Sequence, residues 1–146
     1  MELHHKGTGH TRLAARSPFA ARSRAVPPAV GPLRRALTRW AAAAGATPRT
    51  EQAVALAASE AITNAVVHAY RDAPAPGEVS VSAEVLGDDR LRLVVTDEGG
   101  GMLPRTDSPG LGLGLPLIVE LAESVDIDSR VGVGTRVAME FALLSG

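Results

Sequence analysis

The chain has 146 residues, 45% of them hydrophobic and 21% charged, which suits one globular domain built around one core. It contains no cysteine, so disulfides, thiolate zinc sites and cysteine nucleophiles are excluded. No apolar run approaches the ~18 residues of a membrane span, and the polar start lacks the apolar stretch of a secretory signal, so we expect a cytoplasmic protein without membrane contact.

The formal net charge of −1 is unevenly distributed, because residues 1–50 hold nine basic residues and one acid. We expect residues 1–24 to form a basic, flexible extension, in which an edge strand could lie between Thr11 and Arg24 although a proline disfavours it. The folded domain then spans residues 25–146. The extension could steer an acidic partner or remain solvated, whereas nucleic acid is disfavoured because basic runs and stacking aromatics are lacking.

Two helices are predicted next in the chain. Pro27 and Pro28 open the first helix, and Gly45 ends it. Its apolar residues share one face, which consists of Val30, Leu33, Leu37, Trp40, Ala41 and Ala44. Thr47 or Thr50 can cap the second helix, which frays near residue 71.

The second helix carries the most informative pattern. Glu60, Asn64 and His68 recur at intervals of four, which predicts a carboxylate, an amide and an imidazole on one helical stripe. No lysine or arginine occurs from Glu51 to Tyr70, so the stripe does not resemble an ordinary solvated face. Polar groups on so apolar a helix need partners, which either a buried structural network or a bound metal or ligand would supply.

Three strands with clear period-two alternation follow a turn at residues 73–77. Their alternating segments are residues 79–85, 91–96 and 136–143. A helix from about Leu115 to Ser124 and a shorter strand over Val125 to Arg130 separate the second from the third. Because alternation indicates a sheet with one covered face, we predict an α+β fold, a two-layer α/β sandwich with helices on one side of a mostly antiparallel sheet.

Two glycine-rich segments flank this second strand and the following helix. Asp97 continues the apolar row of the strand and leads into Gly99-Gly100-Gly101, which is either a plain turn or a pocket floor where a carboxylate accepts a hydrogen bond from a ligand amine. Residues 110–114 run into a helix start, where glycines serve either as a linker or as a phosphate cradle. Lys6 is the only lysine, so a Walker A loop and a eukaryotic-type protein kinase are excluded.

The order of these motifs resembles the N, G1, G2 and G3 boxes of the GHKL ATPases over roughly residues 25–144. The boxes correspond to Glu60-x-x-x-Asn64, Asp97-x-Gly99-x-Gly101, Gly112-x-Gly114 and Gly132-x-Gly134-Thr135. The form of the first box and the length of the chain are similar to those of the small bacterial anti-sigma-factor serine/threonine kinases. The fold implied is the histidine-kinase-like, or Bergerat, ATP-binding fold.

The resemblance implies a role for each motif residue. Asn64 would ligate the Mg²⁺ that bridges the ATP phosphates, and Glu60 would be the general base that takes the proton from a serine on the partner. Asp97 would bind the adenine amino group, with Thr135 nearby. His68 matches the motif and would be one of the cofactor-binding residues. The remaining cofactor-binding positions, in the phosphate lid and helix start, would be Gly99, Gly101, Gly110, Gly112, Gly114 and Leu115.

The resemblance also implies partners, namely a sigma factor, a STAS-domain anti-anti-sigma protein that is phosphorylated, and a second copy of the chain in a homodimer. Two departures bear on catalysis. The lid between Gly101 and Gly110 has only eight residues, and Gly110-Leu111 stands where many relatives carry an arginine. The alternatives are therefore a non-catalytic ATP-binding switch and a detached histidine-kinase-like ATPase module.

Overall fold

The computed structural model describes residues 17–71, 73–99, 114–130 and 132–144. Within them, five strands form one sheet and three α-helices pack beside it. The strands are β1 (Phe19–Arg24), β2 (Glu78–Leu86), β3 (Arg90–Asp97), β4 (Ser124–Arg130) and β5 (Gly134–Ala142). The helices are α1 (Val30–Ala43), α2 (Pro48–Asn64) and α3 (Gly114–Leu121), with a 3₁₀ turn at Pro27–Ala29 and a π-helical segment at Ala65–Ala69.

The sheet has the strand order β1-β2-β3-β5-β4, and every neighbouring pair is antiparallel. The inward rows of the strands and the apolar faces of the helices meet in one core. The fully buried members of this core include Leu37, Val54, Ile62, Val79, Leu91, Leu93, Ile118 and Met139. The predicted two-layer α/β sandwich with an antiparallel sheet is therefore confirmed. No helix in the described ranges is long and apolar enough to span a membrane.

The start of α2 is fixed by two threonines with different partners. The Thr47 hydroxyl accepts a hydrogen bond from the Thr50 backbone N–H at 3.2 Å, which makes Thr47 the N-cap. The buried Thr50 hydroxyl instead donates to the Ala142 carbonyl at 2.9 Å. Of the two caps that the sequence allowed, Thr47 is therefore the one used. Thr50 instead connects the helix that carries the Glu60 motif to β5.

The end of α3 differs from the sequence prediction, and the structure gives the edge strand exact bounds. The helix expected to reach Ser124 ends at Leu121, because Ser124 already pairs with Glu140 in the β4–β5 ladder. The edge strand lies at Phe19–Arg24 and pairs with β2, so the sheet begins before residue 25. Residues 1–16 of the expected extension lie outside the described residues.

Candidate active site

Glu60 and Asn64 lie one turn apart on α2, at half-buried positions among the buried residues Ala57, Ala61 and Ala65. Within the described part of the chain, neither side chain has a hydrogen-bond or ion-pair partner, and neither is among the fully buried groups that lack one. Two polar groups are therefore held by an apolar helix without being used by the fold, which leaves their oxygens available to a ligand.

The donor set fits a magnesium ion that is bound mainly through a nucleotide. Mg²⁺ prefers oxygen ligands and usually keeps one or two protein ligands beside substrate phosphates and water. The described residues contain no group of three or more histidine, aspartate or glutamate side chains that could hold a metal by themselves. The amide oxygen of Asn64 is a suitable single protein ligand, and the surrounding residues do not build an all-protein cage.

His68 lies beyond the end of the regular α-helix, because the backbone changes to a π-helix at Ala65. In a π-helix each hydrogen bond spans five residues instead of four, so the direction of His68 relative to Glu60 and Asn64 differs from that on a regular α-helix. Such π segments occur often at functional sites. The sharing of one stripe by all three side chains stays a prediction.

The protonation state of His68 follows from its neighbour Arg71. A guanidinium nitrogen of Arg71 lies 2.6 Å from His68 Nδ1. Because a guanidinium can only donate, Nδ1 accepts and the ring proton resides on Nε2. Burial lowers the pKa of His68, and the positive charge of Arg71 lowers it further. His68 is consequently a neutral imidazole at pH 7, with its Nε2–H as the remaining donor.

Asp97 ends β3 on the inward row, opposite Thr135 of β5 and Val79 of β2. Its carboxylate accepts the Gly99 backbone N–H at 3.0 Å. Burial raises the pKa of Asp97, and the backbone hydrogen bonds from Gly99 and Thr135 oppose that rise. A carboxylate has about four acceptor positions, so two filled by backbone donors leave room for a ligand N–H group.

Tyr70 is a residue of this region that the sequence prediction missed. Its hydroxyl donates to the Glu78 carbonyl at 2.6 Å and accepts the Glu98 backbone N–H at 2.9 Å. Burial raises the pKa of Tyr70, so the hydroxyl keeps the proton that it donates. The signal available in the sequence was its place at the end of the Glu60 motif, which does not reveal these backbone partners.

Two glycines permit the close approach of backbone segments at Asp97. A Cβ atom on Gly99 would overlap the backbone of Ala69, at the end of the π segment. A Cβ atom on Gly134 would overlap the Asp97 carbonyl, and Gly134 also has a positive φ of 136°. Gly99 is therefore needed for contact between the end of β3 and the helix end, and Gly134 for the close approach of β5 to β3.

A cavity of about 670 Å³ lies at the end of β3, β4 and β5. Asp97 and Thr135 border it, together with the charged side chains of Asp128, Arg130 and Arg136. Among the described lining residues none belongs to α2 or to the π segment. The cavity therefore adjoins the Asp97 end of the predicted site and does not extend over Glu60 and Asn64.

The remaining predicted positions divide into two groups. Gly114 is the first residue of α3 and Leu115 the second, so the expected helix start is present at this point. Gly101, Gly110 and Gly112 lie outside the described residues. The structure thus brings Asp97, Gly99 and Thr135 together at one strand end, and it places Glu60 and Asn64 together on α2.

The sheet, the helices and the site residues described above can now be compared with known families. The family described as the histidine kinase-like ATPase domain matches residues 23–141, and the chain belongs to it. The sequence-based resemblance to GHKL ATPases is confirmed.

Curated relatives narrow the comparison to one branch of this family. The chain is 37% identical over 124 residues to the serine-protein kinase RsbW of Bacillus velezensis, covering 75% of this chain and 76% of the relative. It is 31% identical over 104 residues to the anti-sigma F factor of Clostridium acetobutylicum, covering 62% of this chain and 71% of the relative. These relatives bear out the expected similarity to anti-sigma serine kinases and to enzymes of the kinase class.

Solved structures agree with the fold. A crystal structure of the RsbU and RsbW domains of Rv1364c from Mycobacterium tuberculosis has a TM-score of 0.70 and 26% identity, covering 87% of this chain and 32% of that longer chain. The histidine kinase domain of a blue-light-activated histidine kinase from Erythrobacter litoralis has a TM-score of 0.58 at 24% identity, covering 78% of this chain and 59% of that chain. The second likeness concerns the fold alone.

Proposed function

We propose that the chain is a Mg-ATP-dependent serine/threonine protein kinase that also acts as an anti-sigma factor. The observation that carries the proposal is the pair Glu60 and Asn64, one turn apart on α2 and without partners among the described residues. A carboxylate and an amide kept unpaired on an apolar helix suit a base and a metal ligand. Membership of an ATPase family whose curated relatives include serine-protein kinases supports the same assignment.

The proposed reaction transfers the γ-phosphoryl group of ATP to a serine of a partner protein. Glu60 takes the hydroxyl proton while the serine oxygen forms a bond to the γ-phosphorus. The bond from that phosphorus to the bridging oxygen breaks, and ADP leaves. Mg²⁺ at Asn64 would neutralise phosphate charge, and Asp97 would hold the adenine amino group.

The partners in this proposal are a STAS-domain anti-anti-sigma protein as phosphate acceptor and a sigma factor as the inhibited protein. The names of the relatives, a serine-protein kinase and an anti-sigma F factor, support phosphorylation of a serine and inhibition of a sigma factor. The proposal includes a homodimer. It also includes a cytoplasmic location, because sigma factors act where transcription takes place.

The experiment is phosphotransfer from ATP to a purified STAS-domain partner, comparing wild type with Glu60→Gln. We expect the variant to lose about 10²- to 10⁴-fold of the rate, the usual contribution of a general base, while its affinity for Mg-ATP stays within about twofold. Glu51→Gln, nine residues earlier on the same helix, is the matched control and should keep its activity. If wild type with its true partners produces no phosphoserine, the kinase proposal is wrong.

A second candidate, a non-catalytic ATP-binding switch, is favoured by one observation. The segment from Gly101 to Gly110 is short, and Gly110-Leu111 offers no cation to a γ-phosphate. Charge stabilisation supplies most of phosphoryl-transfer catalysis, so its loss would leave binding without turnover. ATP-dependent partner affinity without any phosphoserine would identify the switch, and acid-labile phosphate on the acceptor would indicate histidine chemistry instead.

A further inference from the structure

Tyr70 connects three chain segments, namely the end of the π segment and the neighbouring ends of β2 and β3. Tyr70 comes directly after the π segment, which continues α2 beyond Asn64, so its ring projects from the end of the same helix. Its hydroxyl binds Glu78 at the first residue of β2 and Glu98 just after the last residue of β3. One side chain therefore joins the helix end to two neighbouring strand ends.

The half-buried ring of Tyr70 lies directly against Gly77. A Cβ atom on Gly77 would overlap the Tyr70 ring, and a Cβ atom on Gly99 would overlap Ala69, the residue before Tyr70. Glycine at both places lets the helix end lie directly against the two strand ends. The ring is therefore confined on the side of Gly77, and its hydroxyl is aimed at Glu98.

The bond to Glu98 acts on Asp97 through the backbone. Glu98 lies between Asp97 and Gly99, whose N–H binds the Asp97 carboxylate at 3.0 Å. Holding the Glu98 N–H fixes the turn from Asp97 to Gly99, and the turn fixes the direction of the carboxylate. A hydrogen bond has a narrow useful range of distance and angle, so a shift of the turn would weaken recognition of an exocyclic amine before it altered other contacts.

We propose that Tyr70 is the positioning residue for adenine recognition, holding the Asp97 turn at a fixed distance from the Asn64 helix so that base and phosphates are bound together. This inference rests on the proposed function, in which Asp97 binds the adenine amino group. It adds a residue that acts through the Asp97 turn and so affects how strongly the site prefers a purine with an exocyclic amine. Tyr70→Phe removes the hydroxyl and keeps the ring, which makes it the direct test.

The readout is the ratio of two dissociation constants, measured by calorimetry on the full chain with Mg²⁺. One ligand is ATP, and the other is purine riboside 5′-triphosphate, which lacks only the exocyclic amine. We expect Tyr70→Phe to lower the preference for ATP by about fivefold, the worth of roughly one neutral hydrogen bond, while affinity for the analogue changes less than about twofold. Thr38→Val, which removes another hydroxyl bonded to a backbone carbonyl at 2.7 Å, should leave the ratio unchanged.

Each other outcome has a defined meaning. If Tyr70→Phe weakens the binding of both ligands equally, the role of Tyr70 is merely structural and the inference is overturned. If Asp97→Asn leaves the ratio unchanged, or wild type binds neither ligand, the proposed function fails at the adenine site and the inference fails with it. Should Tyr70→Phe not fold, Gly77→Ala displaces the ring while keeping the hydroxyl, and an unchanged ratio in that variant would likewise overturn the inference.

Discussion

Replacing Asp97 by asparagine tests the proposed adenine site by removing one charge from an almost unchanged shape. Two backbone donors, from Gly99 and Thr135, already use part of the carboxylate, so the ligand amine would meet a remaining acceptor position. A hydrogen bond to a charged group contributes roughly 1.5–3 kcal/mol. Because the asparagine oxygen can still accept a neutral hydrogen bond, we expect Asp97→Asn to weaken ATP binding by about 5- to 15-fold, the difference between a charged and a neutral bond.

Asp97→Asn weakens ligand binding, but it should also remove a loss of stability that the wild type undergoes as pH rises. Burial raises the pKa of the folded Asp97 above its ordinary value of 3.8. As pH rises from 3.8, the unfolded chain therefore loses this proton before the folded chain does, and stability falls until the folded carboxyl has also ionised. Asparagine has no proton to lose, so the variant should lack this part of the decline.

Both effects can be measured against a matched variant. Asp126→Asn, at an exposed outward position of β4, removes the same charge away from the site. Binding is measured by calorimetry, and urea unfolding is followed from pH 3 to pH 7. The free-energy difference between wild type and Asp97→Asn should move in favour of the variant as pH rises. A difference that is constant, or that moves in favour of wild type, would refute the reasoning from burial.

Two further predictions concern backbone fit and protonation. Gly134→Ala should destabilise the fold by at least about 3 kcal/mol in urea unfolding, because a positive φ is strained for alanine and the new methyl group overlaps the Asp97 carbonyl. Gly132→Ala, with a φ of 80° and no atom within 4 Å of the added methyl group, should lose about 1 kcal/mol, and equal losses would contradict the role of the overlap. In NMR titration His68 should protonate below its ordinary pKa of 6.5 and stability should fall as pH drops through that region, since the unfolded chain binds the proton first. Arg71→Ala should move the His68 pKa upward, and an unchanged value would show that the guanidinium does not act on the imidazole.

The strands and their buried rows could be predicted because a sheet with one covered face imposes a two-residue repeat that no other element shares. Leu91 and Leu93 are fully buried as this repeat requires, and the repeat also placed Asp97 on the inward row. The expectation that Asp97 and Thr135 lie close follows only from the family resemblance. Their pairing across β3 and β5 depends on long-range register, which local patterns do not contain.

The features that could not be predicted depend on competition between local and long-range bonding. Ser124 suits the end of a helix, yet it joins β4 because Glu140 offers a strand partner. The π segment leaves no mark in the hydrophobic repeat, since the buried residues Ala65 and Ala69 are four apart, a spacing that an α-helix shows as well. Tyr70 was passed over because its two partners are backbone groups, which look identical at every position of a sequence.

The π segment at Ala65–Ala69 also gives this helix end one residue more than an ordinary helix needs to reach the strand ends. Its wider turn holds one residue more per hydrogen bond than an α-turn does. Deleting a single residue there would convert the wide turn into an ordinary α-turn and leave the direction of the following residues nearly unchanged. Tyr70 would still approach Glu98, and only its distance along the chain from Asn64 would shorten. A homologue one residue shorter in this segment could therefore hold its strand end in the same way with an ordinary helix.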